Sequence, residues 1–143
     1  MSKLFESSRI VEFSETDAAG IAHFSNYFRW MEAAEHIFFR DKLSFPIFDR
    51  IDKSGFPRAK VHCEFFKPLY CGDEVFIHLQ VTKIRKSSIK YHFSFFRNNV
   101  GEKDLCAEGD MITVYASEND DGEIVSVELP AVLRSILDVW CTE

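Results

Sequence analysis

Ser25-Asn26-Tyr27-Phe28-Arg29-Trp30-Met31-Glu32-Ala33-Ala34-Glu35-His36-Ile37-Phe38 decides the fold. Tyr27, Met31, Ala34 and Phe38 recur at i, i+4, i+7 and i+11, an apolar stripe down one side of a helix. Arg29, Glu32, His36 and, further on, Arg40 lie opposite. Ser25 or Asn26 is the expected cap. The helix is expected to close between Asp41 and Ser44, before Pro46.

Upstream, residues 8–14 read as a strand, with Ile10 and Phe13 on one face and Arg9 and Glu12 on the other. Between strand and helix stands Asp17-Ala18-Ala19-Gly20, a loop of small residues. Downstream come four strand-like runs: 58–67, 74–85, 89–97 and 104–117. The second puts Val75, Ile77, Leu79 and Val81 on one face, and the third Ile89, Tyr91, Phe93 and Phe95. Turns are expected at 70–73, 86–88 and 98–101. Gly109 marks a bulge or a close approach. Glu118–Glu123 reads as an acidic, solvated turn without the ligand register of a calcium loop. Pro130 can open a closing helix through Val139.

One strand, one long helix and then only strands describe an α+β domain, an antiparallel sheet laid over a single helix. Residues 1–143 suit one domain with its own core. Opposite the core set, Phe66, Phe76 and Phe96 alternate with His62, His78 and His92. A face that is half aromatic is expected to be covered, in an oligomer interface or under flanking chain.

Composition is 46% hydrophobic and 28% charged, which is globular. A net charge of −6 argues against a nucleic-acid module. No apolar run reaches the ~20 residues of a membrane span. Met1–Glu6 lacks a signal-peptide core, so a cytoplasmic location is expected. Cys63, Cys71, Cys106 and Cys141 fit no zinc template and are expected to be free thiols. No metal is expected at the three histidines, which have no short-spacing partner.

Asp17 is the chemical focus. A carboxylate facing the free N–H groups of a helix start can attack or deprotonate, while the amides hold an oxygen that becomes negative. Lys83, Arg85, Lys86, Ser87, Ser88 and Lys90 form the densest basic cluster in this acidic chain, a suitable dock for phosphates. Arg58 and Lys60 are weaker candidates for that dock.

The order of elements, Thr16, Asp17, Gly20, Asn26 and Tyr27, and the turn Lys67-Pro-Leu-Tyr-Cys-Gly-Asp73 together resemble the hotdog-fold acyl-CoA thioesterases. The closest likeness is to their 4-hydroxybenzoyl-CoA and YbgC-like branch. The resemblance implies a hotdog of about five antiparallel strands around one long helix, with a short C-terminal helix. It implies an oligomer, a dimer or a dimer of dimers (homotetramer), with acyl-CoA lying between subunits. Asp17 would be the catalytic nucleophile or general base, the Phe24 backbone N–H would polarise the thioester carbonyl, and Gly20 and Ile21 would shape the loop. His23, Tyr27, Glu32, Lys83, Arg85, Lys86, Ser87 and Ser88 are the candidates for holding substrate. Phe24 stands where some YbgC-like members carry histidine, so His23 does not inherit that role. No cofactor is implied, coenzyme A being part of the substrate. The alternatives are a non-catalytic acyl-CoA binding or sensing module and a hydratase or dehydratase on the same fold.

Overall fold

The computed structural model describes residues 3–143; Met1 and Ser2, which begin the segment read above for a signal sequence, lie outside the described residues. In chain order the elements are β1 (Phe5–Ile10), α1 (Ser25–Phe38), β2 (Ser54–Gly55), β3 (Arg58–Phe65), β4 (Glu74–Ile84), β5 (Ser88–Asn99), β6 (Glu102–Val114), β7 (Ala116–Glu118), β8 (Ile124–Ser126) and α2 (Ala131–Trp140). Five of the strands form one antiparallel sheet in the order β1-β4-β5-β6-β3. β2, β7 and β8 make a second, small sheet. One large antiparallel sheet over one long helix is the architecture that the resemblance implied.

The alternation read from sequence is what seats the sheet on α1. Val75, Ile77, Leu79 and Val81 are at most 2% exposed, and Ile89, Tyr91, Phe93 and Phe95 are sealed completely. The helix answers with Tyr27, Trp30, Met31, Ala34, Glu35 and Phe38. Tyr27 sits with its ring 4.9 Å from Trp30 and 5.3 Å from Phe95, tilted or edge-on as aromatic quadrupoles prefer. Past Phe38 the backbone widens into a π turn, Phe39–Leu43, and Ser44 closes it in the left-handed region at φ 49°.

Several expectations are corrected. β1 starts earlier than residue 8 and ends at Ile10, because it pairs with β4 from Phe5↔Leu79 to Ile10↔Glu74. Its inward residues are Phe5 and, just past its end, Val11; Ile10 and Phe13 are exposed. Residues 13–15 are a 3-10 turn instead of strand. The cause is Glu15, whose Oε2 accepts a hydrogen bond from Trp30 Nε1 at 2.8 Å and draws the chain toward the helix. Arg9 lies on the core side, its guanidinium 5.9 Å from the Trp30 ring, covering it with a polar tip in water. The last long strand stops at Val114, and residues 116–118 leave for the small sheet. The acidic segment becomes the β7–β8 hairpin, tightened by Asn119 Oδ1, which accepts from the N–H groups of Asp121 and Glu123.

On the outer sheet face, Phe76 lies under the Lys103 ammonium and Phe96 beside the His78 ring. Phe66 does not join them. It lies beyond the end of β3, where its N–H donates to Cys106 O. The three histidines pair with carboxylates: His78 with Glu6, His62 and His92 both with Asp110. Among the described residues no group of three or more His, Cys, Asp and Glu is arranged to hold a metal. No helix among them is long and apolar enough to cross a membrane.

Candidate active site

The loop before α1 is a miniature hairpin bolted at both ends. Thr16 and Ala22 form an isolated antiparallel bridge, and Asp17 N–H donates to Ile21 O. Gly20 N–H donates to Asp17 O at 2.9 Å, and the turn needs φ +82° at Gly20, a conformation suited to glycine. Ala22 N–H donates to Leu69 O and His23 N–H to Glu15 O, fastening the hairpin to its neighbours.

Within that frame the Asp17 carboxylate is aimed by its own backbone. Oδ1 accepts from Ala19 N–H at 2.9 Å, and the side chain stays solvent-accessible. It opens onto a cleft of about 440 Å³ lined by Asp17, Ile21, Ala22, Phe24, Tyr27 and the run Phe65–Pro68. A lining that is mostly apolar and aromatic, with Asp17 and Lys67 as its charged members, suits a mostly apolar ligand with a reactive polar group.

The helix start differs from the expected cap. Ser25 and Asn26 are its first helical residues, and Phe24 precedes them with no capping side chain of its own. His23 does the capping, its Nδ1 accepting from Ser25 N–H at 3.2 Å. The Asn26 amide instead donates to Glu15 O at 2.7 Å, stapling hairpin to helix. Phe24 N–H, on the cleft wall, finds no acceptor among the described residues. Asn26→Ala is expected to cost about 1 kcal/mol, one internal hydrogen bond, and to loosen the hairpin. Denaturant unfolding and amide exchange at Asp17–His23 read the two effects.

The remaining sequence candidates divide. Tyr27 lines the cleft but is packed against Trp30, Phe65 and Phe95, and burial pushes its phenol well above its usual range, so it stays neutral. His23 is engaged at the cap and stacked on Phe24, outside the cleft lining. Glu32 lies on a second cavity of about 320 Å³ with His36, Ile47, Phe48, Gly55, Phe56, Pro57 and Arg58. Lys83, Arg85 and Ser88 share a basic pocket with Lys90. Lys86 and Ser87 do not line it; the Lys86 carbonyl accepts from Leu129 N–H on the approach to α2, and the Ser87 carbonyl accepts from Tyr115 N–H between β6 and β7. Cys63 is an unpromising nucleophile, since burial pushes its thiol up to about 12.

Sequence reasoning missed Phe65, Phe66, Lys67 and Pro68 as cleft wall, because the alternation read Phe65–Lys67 as the end of a strand, with Phe66 on its outer face, and Pro68 as its stop. It also missed Glu35, which is fully buried on α1 with Arg58 Nη2 2.7 Å away. The signal was available: Glu35 falls four residues after Met31 and eight after Tyr27, on the core stripe.

A family model described as the thioesterase superfamily matches residues 19–103. A 1,4-dihydroxy-2-naphthoyl-CoA hydrolase of Prochlorococcus marinus (strain NATL2A) is 41% identical over 99 residues, covering 63% of this chain. The match spans 63% of that relative's length. A gentisyl-coenzyme A thioesterase structure is 30% identical, with a TM-score of 0.78 over 93% of this chain and 99% of its own. The 4-hydroxybenzoyl CoA thioesterase from Pseudomonas sp. strain CBS-3 has the same fold at a TM-score of 0.83 and 24% identity, over 93% and 98% of the two chains.

Proposed function

The chain belongs to the thioesterase superfamily, and from that premise we propose that it hydrolyses an aromatic or short-chain acyl-CoA to the free acid and coenzyme A. The observation that carries the reading is one carboxylate, Asp17, and one free amide, Phe24 N–H, on the wall of the same cleft. The thioester carbonyl oxygen accepts from Phe24 N–H as it turns negative, where donors fixed in advance contribute most. Asp17 either attacks the carbonyl carbon or takes a proton from water that does. The C–S bond breaks, and the thiolate leaves and is protonated. With water attacking directly, the hydroxyl joins the acyl carbon and the water proton passes through Asp17 to the sulfur. With Asp17 attacking, a mixed anhydride forms and water cleaves it.

The sheet geometry supports a site shared by two copies. The Asp17 cleft lies at the β3 end, Phe65–Pro68, while the basic pocket of Lys83, Arg85, Ser88 and Lys90 lies at the β4–β5 turn. The two lie apart along the sheet: Phe65 is level with Ala107 and Phe95, and Ser88 stands seven residues away on β5, roughly 24 Å at the rise of a strand. β3 is an edge strand with a single neighbour, β6, and an exposed outer side, the kind of edge that recruits another strand. Antiparallel pairing of β3 with its copy sets the start of one strand beside the end of the other. The basic turn of one chain then approaches the Asp17 cleft of the second.

The naphthoyl-CoA and gentisyl-CoA relatives favour an aryl acyl group, and the Phe24, Tyr27 and Phe65 lining agrees with one. The test is coenzyme A release from benzoyl-, hydroxybenzoyl-, phenylacetyl- and short-chain acyl-CoA, followed by trapping of the free thiol, run beside enoyl-CoA hydration. Binding without thiol release would favour a sensing module, and hydration without release a hydratase. Removal of the donor is the sharper arm. Phe24 has φ −56°, which proline adopts, so Phe24→Pro deletes the N–H while keeping the helical backbone angle, and Phe24→Ala, which keeps the N–H, is the reference for the lost ring. Turnover is expected to fall roughly 10²–10³-fold, the usual loss of one oxyanion donor.

A further inference from the structure

Glu35 is the one fully buried carboxylate among the described residues, and the scheme above does not use it. It faces inward from the middle of α1, beside Tyr91 and Thr113, which are themselves sealed. Burial raises its pKa, and the Arg58 guanidinium opposes that rise. Removing a carboxylate from water is costly unless it does something an apolar residue would not. What it does here is fix an arginine. Arg58 Nη2 stands 2.7 Å from Glu35 Oε1 and 3.3 Å from Glu32 Oε2, and Nη1 donates to Phe56 O at 3.2 Å. The guanidinium is therefore held from three sides at the first residue of β3, just before the register shift between Arg58 and Lys60.

Arg58 is also a wall of the second cavity, whose other walls include the rings of Phe48 and Phe56. Gly55 keeps that wall flat: a Cβ there would meet Phe48 Cδ1 at 3.3 Å. An aromatic slot with a fixed guanidinium and the Glu32 carboxylate on its rim offers a donor beside an acceptor, the complement of a ring hydroxyl. The two cavities share one seam between α1 and β3. The Asp17 cleft takes the helix start and the strand end; the second cavity takes the later helix and the strand start. Antiparallel β3 pairing sets the second cavity of one copy beside the Asp17 cleft of the other.

We propose that Glu35 is a positioning residue, which locks Arg58 against the second cavity so that Arg58 selects acyl groups bearing a ring oxygen. This inference rests on the thioesterase reading, and its test separates the two. A pair of non-hydrolysable aryl CoA thioethers, one with a ring hydroxyl and one without, is titrated calorimetrically against wild type, Glu35→Gln and Arg58→Lys. In both variants the preference for the hydroxylated ligand is expected to fall about tenfold, the equivalent of one charge-assisted hydrogen bond. Lysine keeps the charge but loses the planar fork. A preference ratio does not depend on the folded fraction, so a purely structural Glu35 would weaken both ligands equally and leave the ratio intact. Should Glu35→Gln fail to fold, Glu35→Asp, which keeps the charge but draws it back from the guanidinium, takes its place beside Arg58→Lys. An unchanged ratio overturns the proposal even if wild type cleaves acyl-CoA. A lowered ratio upholds it, even if wild type releases no thiol and the hydrolytic reading falls.

Discussion

Asp17→Asn is expected to lower acyl-CoA hydrolysis by roughly 10²–10⁴-fold, the range spanned by loss of a positioned acid–base group. Asparagine has the same shape, and its amide oxygen can still accept the Ala19 N–H that orients Asp17. The hairpin therefore survives, held by Asp17 N–H to Ile21 O and Gly20 N–H to Asp17 O through backbone alone. What disappears is the negative charge and the basicity. Ligand affinity is expected to stay within a few-fold of wild type, because the cleft walls at 65–68 are untouched. Thiol release measures the loss and calorimetry with a thioether measures retained binding. Full activity in the variant would remove Asp17 from the reaction altogether.

Gly109→Ala is expected to give the largest structural effect of any single methyl group. A Cβ at that position would lie 2.0 Å from the His62 carbonyl oxygen and 2.9 Å from Cys63 Cα. Both obstacles are backbone, in the β3 strand paired with β6 at Cys63↔Gly109. Neither can rotate away, so the strands must part. Overpacking a core usually costs about 1–3 kcal/mol, and a rigid backbone clash places this one at roughly 3 kcal/mol or more. β3 is also the edge proposed to recruit a second copy. Gly109→Ala is therefore expected to lower the melting temperature and the oligomer mass together, read by calorimetry and light scattering. A variant that melts and assembles like wild type would show that β3 tolerates displacement.

The sequence and the structure agree where one periodicity dominates. Val75 to Val81 and Ile89 to Phe95 alternate without interruption, and their burial follows residue by residue. The same holds for Tyr27, Met31, Ala34 and Phe38. Asp17 and Gly20 stand in the loop before α1 where the sequence places them, and the role expected of them comes from the family resemblance, not from the loop's composition. Disagreement sits where a long-range partner overrules local pattern. Ile10 and Phe13 look like the core face of one strand, yet Ile10 ends β1 exposed and Phe13 already lies in the 3-10 turn that the Glu15–Trp30 hydrogen bond ties to the helix. Ser25 looks like a cap, yet the imidazole two residues earlier takes the position. Glu35 sits on the apolar stripe but reads as surface charge until Arg58, 23 positions later, arrives beside it. Lys86 and Ser87 belong to a basic run by composition, while their carbonyls hold the approach to α2 and the β6–β7 junction, respectively.

The hairpin that carries Asp17 is tied down by Glu15, Asn26, Leu69 and its own glycine turn, so it has no hinge on which to swing. An acid that cannot move leaves adaptation to the walls around it. On the proposed reading, drift at Phe65–Pro68 or around Phe48 and Phe56 would change which carboxylic acid is released while the bond-breaking step stays as it was. A lineage built on this chain could thus exchange one metabolite for another by repainting its vestibule, without reinventing its chemistry.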